Sequence, residues 1–349
     1  MKAWVLHGIN DFRYEDISIP EIKEYEVLLE VKAAGICGSD IARVFETGTY
    51  SFPMIPGHEF SGVVKAVGAA ADEELVGSRV GVFPLIPCKE CACCKDRKYE
   101  MCRNYSYLGS RTDGGFAEYV AVPAWNLIKL PDAVSFEQAA MLEPMAVAVH
   151  AMRKVQISED DTVVIYGLGT IGLLLLMFLR EKGIKNILAV GNKEFQKKMA
   201  TEMGLDEDNY CDGRVTDVNE WLAERTAALG ADILFECVGK NETVKKAVEL
   251  AAPEGKIVFV GNPYSDMTLD KNTYWKILRK QLEIKGTWNS SFTKSEEDDW
   301  NYVLKRIETG RIKPESLITH RFTVENLSEG LGIMKNKSQD YVKVIMERL

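Results

Sequence analysis

The sequence predicts an α/β chain in two parts, a mostly β domain and a doubly wound parallel sheet. Three observations carry this. The chain has 349 residues, more than one ordinary hydrophobic core organises. Up to about residue 150, Gly and Pro break it into short β-like runs: Val27–Ala33, Gly62–Val67, Arg79–Phe83 and Ala117–Val122. From about residue 160, the apolar runs Thr162–Tyr166, Asn186–Val190, Ile233–Cys237, Lys256–Val260 and Leu282–Lys285 alternate with helical stretches. That alternation is the pattern of β-α-β units feeding a parallel sheet.

The elements follow in order. Val27-Leu28-Leu29-Glu30-Val31-Lys32 shows partial two-residue alternation, as a half-buried strand should. The helix after the first parallel strand is expected at Ile171–Lys182, stopped by Gly183. From about residue 290 the chain turns charged and helical (Lys294–Thr309) and finishes on the strand-like Tyr341–Met346. This tail does not read as further parallel sheet and is expected to complete the first domain. The expected division is therefore 1–152 with 289–349, against 153–288.

Hydrophobic residues make up 46% and charged residues 27%, and the formal net charge is −9. An acidic chain of this kind is a poor non-specific partner for nucleic acid or an anionic membrane. The longest apolar candidate, Ile171–Leu179, is too short to span a bilayer. The first residues lack the apolar stretch and cleavage site of a signal peptide. A cytoplasmic protein is expected, and there clustered cysteines point to metal before disulfides.

Such a cluster is Cys88-x2-Cys91-x2-Cys94-x7-Cys102, in a charged lobe near 86–104. Four thiolates suit tetrahedral zinc and leave no position for substrate, so the site is structural. Cys93 is spare. A disulfide cluster and an iron–sulfur centre use the same residue type. Lys89, Lys95, Arg97, Lys98 and Arg103 make the lobe locally basic, which raises the rival reading of a nucleic-acid module. No recognition helix follows, however.

A second metal site has an open position. Cys37, in Gly35-Ile36-Cys37-Gly38-Ser39-Asp40, and His58, in Gly57-His58-Glu59, supply soft and borderline ligands. The third ligand is either Glu59 or Glu143, the latter a carboxylate in the apolar stretch Met141-Leu142-Glu143-Pro144-Met145.

Gly167-Leu168-Gly169-Thr170-Ile171-Gly172 follows a strand and opens a helix. That context marks a dinucleotide turn, with the pyrophosphate at a helix N-terminus. An acid for the ribose hydroxyls is expected at the end of the second strand. Gly191-Asn192-Lys193 stands there instead. Without a carboxylate, and with a donor and a cation, the pocket is expected to favour NADP over NAD. Val238, Val260, Gly261, Thr287 and Trp288 lie at later strand ends, where such ligands sit.

Gly57-His58-Glu59-x2-Gly62-x5-Gly68 and the four-cysteine lobe resemble the zinc signature of the medium-chain dehydrogenase/reductase superfamily, and the likeness spans essentially the whole chain. Asp113-Gly114-Gly115-Phe116-Ala117-Glu118-Tyr119 and Glu143-Pro144 resemble the sorbitol and threonine dehydrogenase branch. With Gly109-Ser110-Arg111 and Ile277-Leu278-Arg279-Lys280 added, the pattern is similar to galactitol-1-phosphate 5-dehydrogenases. The resemblance implies a GroES-like catalytic domain beside a Rossmann domain, two zinc ions, and NAD(P). It implies a catalytic zinc held by Cys37, His58 and a glutamate, with both Glu59 and Glu143 at the metal. Ser39 matches the hydroxyl that begins a proton relay, and Asp40 matches the acid that orients the metal histidine.

The implied reaction passes a hydride from a secondary alcohol of a polyol or polyol phosphate to the cofactor. An L-threonine 3-dehydrogenase-like activity is the enzymatic alternative, and a zinc-bearing redox sensor the non-enzymatic one. Arg111 and Arg279 are candidate phosphate partners. Trp288-Asn289-Ser290 stands where the sorbitol branch carries an arginine after its aromatic. A homo-oligomer, dimer or tetramer, is implied by analogy.

Overall fold

The computed structural model describes residues 1–348. The chain forms two compact units: one joins Met1–Ala146 to the segment from Ser290 onward, and the other is Val147–Asn289. The first division falls inside the helix Leu142–Met152, ahead of the expected boundary after residue 152. No helix breaker follows Pro144 in that stretch, so the helix runs through the division instead of ending at it.

The first unit is built on a seven-stranded sheet. Its central strand, Glu26–Ile36, alternates buried and half-buried residues over its first half and is wholly buried over its last residues. The cause is its neighbours. Glu59–Val67 pairs with one edge along its length, while Tyr119–Pro123 and Lys343–Glu347 share the other edge. The strand at the end of the chain therefore lies beside Ala33–Ile36, with Val344 opposite Ile36 and Ile345 opposite Gly35. Glu59 lies opposite Gly35 on the other side. The core beneath includes Val27, Leu29, Val31, Phe60, Val64, Phe116 and Val344.

The second unit is a six-stranded sheet with all pairings parallel. Across it run Tyr210–Asp212, Ile187–Gly191, Val163–Tyr166, Ala231–Glu236, Ala251–Phe259 and Glu283–Gly286. In chain order this is 3-2-1-4-5-6, a doubly wound sheet whose order reverses between its first and fourth strands. Val163–Tyr166 is flanked on both sides and reads as unbroken apolar sequence, as a central parallel strand must. The first helix is Thr170–Glu181, with seven buried residues from Gly172 to Leu179. Among the described residues no helix is long and apolar enough to cross a membrane.

Candidate active site and metal centres

Cys37 and His58 meet because each stands at the end of one of two paired strands. Cys37 follows Glu26–Ile36, and His58 precedes Glu59–Val67. Their ligand atoms and a carboxylate oxygen of Glu59 all lie within 4.8 Å of one another. Glu143 stands outside that group, although it was an equal candidate on sequence. Its buried carboxylate accepts a hydrogen bond from the Tyr107 hydroxyl at 3.2 Å. Burial lifts the Glu143 pKa to about 7; the charge of Glu59 adds to this, against His58 and Lys343. Burial raises Tyr107 too, with Glu143 adding to it. Glu59 and Glu143 thus lie close enough to repel, and a divalent cation would relieve both.

The surrounding groups hold the donors in place. Asp40 is fully buried; its carboxylate approaches His58 Nδ1 at 3.3 Å, accepts from the Cys37 amide at 2.9 Å and accepts from Arg43 at 2.9 Å. Burial pushes the Asp40 pKa up, but His58 and Arg43 outweigh it and the net shift is downward. Burial pushes His58 down, while Asp40 and Cys37 outweigh it and hold the imidazole well above its ordinary value. Ser39 accepts a hydrogen bond from Arg43 at 2.9 Å, which fixes its oxygen and leaves its proton to donate elsewhere.

Lys343 and Arg43 escaped the sequence reading. The Lys343 ammonium is 2% exposed; it pairs with Glu59 and donates to the Ile36 carbonyl at 3.1 Å. The pair sits over Gly35, where a Cβ would meet Glu59 Oε2 and come within 2.7 Å of Lys343 Cε. The signal was present: a lysine in the apolar run Val342–Met346 is costly unless paired.

Cys88, Cys91, Cys94 and Cys102 gather their sulfurs within 4.8 Å, and Cys93 is not among them. Sγ separations are 3.6 Å for Cys91–Cys94 and 3.9 Å for Cys88–Cys94. Sulfurs about 2.3 Å from a shared zinc stand about 3.8 Å apart in a tetrahedron, whereas a disulfide holds them about 2.05 Å apart. None of the eight cysteines is joined in a disulfide, and the sulfur separations in this cluster fit a shared ion and not a bond between sulfurs. The lobe's helix, Ala92–Lys95, is a single turn and offers no recognition helix.

In the other unit, the strand ends expected to face a dinucleotide align. Tyr166 is level with Val190 and Glu236, and Phe259 with Gly286. Gly191, Val238, Val260, Gly261, Thr287 and Trp288 thus fall on the carboxyl edge of one sheet. Gly167 has φ +102°, a turn that favours glycine, and Gly169 precedes the helix that begins at Thr170. A Cβ on Gly172 would collide with the Gly167 carbonyl, so Thr170 and Ile171 begin a helix packed tightly on the turn. The Thr287 hydroxyl is buried with no partner, an orphan of the kind a bound cofactor satisfies.

At Gly191, a Cβ would lie 2.6 Å from the Tyr210 hydroxyl and 2.8 Å from Gln196 Oε1. The room an acidic side chain needs is taken. Tyr210 donates to the Lys193 carbonyl at 2.8 Å and accepts from its amide at 3.2 Å; Gln196 accepts from the Asn192 amide at 3.0 Å. Glu236 closes the strand end expected at Glu236-Cys237-Val238-Gly239. Its buried carboxylate accepts from the Val238 and Gly239 amides at 2.8 and 2.9 Å and from Thr243 at 2.8 Å, fixing the turn beside Gly167.

Residues 23–132 match the alcohol dehydrogenase GroES-like domain and residues 170–309 the zinc-binding dehydrogenase domain. The galactitol 1-phosphate 5-dehydrogenase of Escherichia coli K12 is 33% identical over 333 residues, covering 95% of each chain. The crystal structure of galactitol-1-phosphate dehydrogenase from E. coli matches with a TM-score of 0.92 at 32% identity, over all of both chains. A zinc-binding dehydrogenase from Sinorhizobium meliloti bound to NADP matches with a TM-score of 0.89 at 28% identity, covering 99% of each. The short chain alcohol dehydrogenase of E. coli CFT073 complexed with NADH matches with a TM-score of 0.91 at 30% identity, covering 100% of this chain and 99% of that one. The fold and these matches define an oxidoreductase of the alcohol dehydrogenase class. The chain belongs to the zinc-binding dehydrogenase family with a GroES-like domain, the zinc-dependent medium-chain dehydrogenases.

Proposed function

We propose that the chain oxidises a secondary alcohol of a polyol or polyol phosphate, with NADP preferred to NAD. The observation that carries this is the cluster of Cys37, His58 and Glu59, with Asp40 behind the histidine and Lys343 behind the glutamate. When bound there, zinc supplies Lewis acidity toward an alcohol oxygen. Three protein donors leave a fourth place for that oxygen. Ser39, held by Arg43, would accept the alcohol's hydroxyl proton while passing its own hydroxyl proton on towards solvent, and the hydride would leave the carbon that bears that oxygen for the nicotinamide. The protein's share is alignment and charge balance.

A phosphate on the substrate needs a cation. Arg111 lies between the Tyr50 and Tyr105 rings, 4.2 and 4.4 Å from their centroids, and donates to the Tyr50 hydroxyl. Its amide donates to the carbonyl of Tyr107, which in turn holds Glu143. Arg111 is exposed enough to meet a ligand, forms no ion pair among the described residues, and is tethered to the site. Arg279 stacks on Trp275 in the other unit and is the weaker candidate. The NADP preference rests on Gly191, Asn192 and Lys193 and on the occupied space beside Gly191.

We also propose a cytoplasmic homo-oligomer that binds neither nucleic acid nor membrane. The test of function is a panel of galactitol 1-phosphate, galactitol, sorbitol, L-idonate and L-threonine, each with NADP and NAD, followed by absorbance of the reduced cofactor. Highest kcat/KM on a polyol or its phosphate with NADP is expected. Preference for threonine, or for NAD, overturns the corresponding half.

A further inference from the structure

The unit that carries the metal ligands also holds a surface pocket of about 570 Å³, remote in composition from the catalytic cluster. Its lining combines Tyr25, Leu75 and Trp125 with Lys89, Lys129 and Lys294. Three lysines lining one pocket run against the grain of a chain whose net charge is −9. None of the three forms an ion pair among the described residues. Asp72, also in the lining, turns its carboxylate to the Glu74 amide at 3.0 Å.

Two of the ammonium groups converge. Lys89 Nζ lies 4.9 Å and Lys294 Nζ 5.9 Å from the centroid of the Trp125 ring. Cation–π attraction of this kind accounts for one cation comfortably; two near one ring repel each other. Partial burial, with the charge of Lys89 adding to it, accordingly lowers the Lys294 pKa. Both lysines also occupy the left-handed region, at φ +62° and +58°, a conformation that costs a non-glycine residue energy and persists when its surroundings impose it. Lys89 is imposed by the cysteines on either side of it, Cys88 and Cys91. Lys294 follows Thr293, whose carbonyl accepts from Arg97 at 2.6 Å and whose amide donates to Asp298 at 2.9 Å.

The floor is rigid. Trp125 meets Tyr99 at 5.0 Å and Phe292 at 5.3 Å, both edge to face, and Phe292 packs on Phe83 at 4.8 Å. Preformed concavity, an apolar floor and convergent unpaired donors are the ingredients of a small-molecule site.

We propose that this pocket binds a small organic anion, its phosphate or carboxylate oxygens bridging Lys89 and Lys294 and its apolar body lying against Trp125 and Leu75. The oxyanion relieves the repulsion between the two ammonium groups, and charge-assisted hydrogen bonds supply the affinity. The site is separate from the proposed reaction and stands or falls independently of it.

Phenyl phosphate is the probe, titrated calorimetrically into the zinc-loaded full chain saturated with NADP, with inorganic phosphate as the body-less arm. Saturable binding of phenyl phosphate is expected, at least tenfold tighter than that of inorganic phosphate. Lys294→Gln and Lys89→Gln should each weaken it by tenfold or more. Lys294→Arg should retain it, and Arg111→Gln should leave it unchanged. Absence of binding overturns the proposal. So does binding that survives Lys294→Gln, or binding that Arg111→Gln abolishes. Equal affinity for the two anions overturns the apolar half. If Lys294→Gln instead shifts the sedimentation of the chain while phenyl phosphate fails to bind, the lysines meet another copy and the proposal fails.

Discussion

At the scale of single residues, the catalytic cluster is a balance of buried charges, and Lys343 is its least conspicuous member. Glu59 and Lys343 are each 2% exposed. Breaking a buried pair by removing one partner costs about 3–5 kcal/mol, because the other charge is stranded. Lys343→Met should therefore lower the unfolding free energy of the metal-free chain by about that much. Zinc supplies the missing positive charge to Glu59, so the loaded chain should lose distinctly less. Urea unfolding with and without chelator reads the difference; equal losses would show that lysine and metal do not share this carboxylate. Gly191→Asp makes a second case. It places a negative charge beside the expected 2′-phosphate and a side chain where Tyr210 and Gln196 stand. NADP efficiency should fall by about 100-fold or more, while NAD efficiency should gain little until Gln196→Ala makes room; a full switch from Gly191→Asp alone would refute the packing argument. Arg111→Gln should raise KM for a phosphorylated polyol by about 10–100-fold, the worth of one charge-assisted hydrogen bond, and leave the free polyol nearly unchanged; parallel loss on both substrates would make Arg111 structural. Cys37 and His58 were legible because short glycine-framed spacing encodes them. Lys343 was not, because its partner lies 284 residues away and only strand pairing unites them.

Among the elements, legibility followed length and polarity. Val163–Tyr166, Ile187–Gly191, Ala231–Glu236 and Glu283–Gly286 fall within two residues of the runs that announced them; the first three read as largely apolar because the sheet buries them, whereas Glu283–Gly286 is a half-exposed edge strand. Tyr210–Asp212 was missed: three residues, one of them charged, carry no period. Ala251–Phe259 begins five residues before the run that marked it, because Pro253 and Gly255 disguise its irregular first half. The cysteine lobe is the reverse case, legible from spacing yet nearly without regular structure. Such a segment depends on its metal. Cys94→Ser, at a buried ligand position, should lower zinc content from two ions per chain to one, as the two separate clusters require, and lower the Tm. Metal analysis beside a melting curve checks both; a chain that keeps two ions would contradict a closed four-cysteine site.

For the molecule as a whole, the two ligand sets belong to different compact units. Cys37, His58 and Glu59 are carried by the unit that closes through the C-terminal strand Lys343–Glu347. The glycine turn, Gly191, Glu236 and the orphan Thr287 hydroxyl are carried by Val147–Asn289. Each set is fixed by hydrogen bonds inside its own unit: Asp40 and Arg43 in one, Tyr210, Gln196 and Glu236 in the other. This separation sets the outcome of a ligand knockout. Cys37→Ala removes a thiolate that Lewis-acid chemistry requires, so kcat should fall by about 1,000-fold or more, the several kcal/mol of transition-state charge stabilisation a metal contributes. It changes no residue of Val147–Asn289, so the Kd for NADPH, read by quenching of tryptophan fluorescence, should stay within about threefold, less than 1 kcal/mol. Near-normal turnover would sink the assignment of Cys37 to the metal. Loss of NADPH binding in step with turnover would show that Cys37→Ala disturbs the folded chain and not the metal site alone.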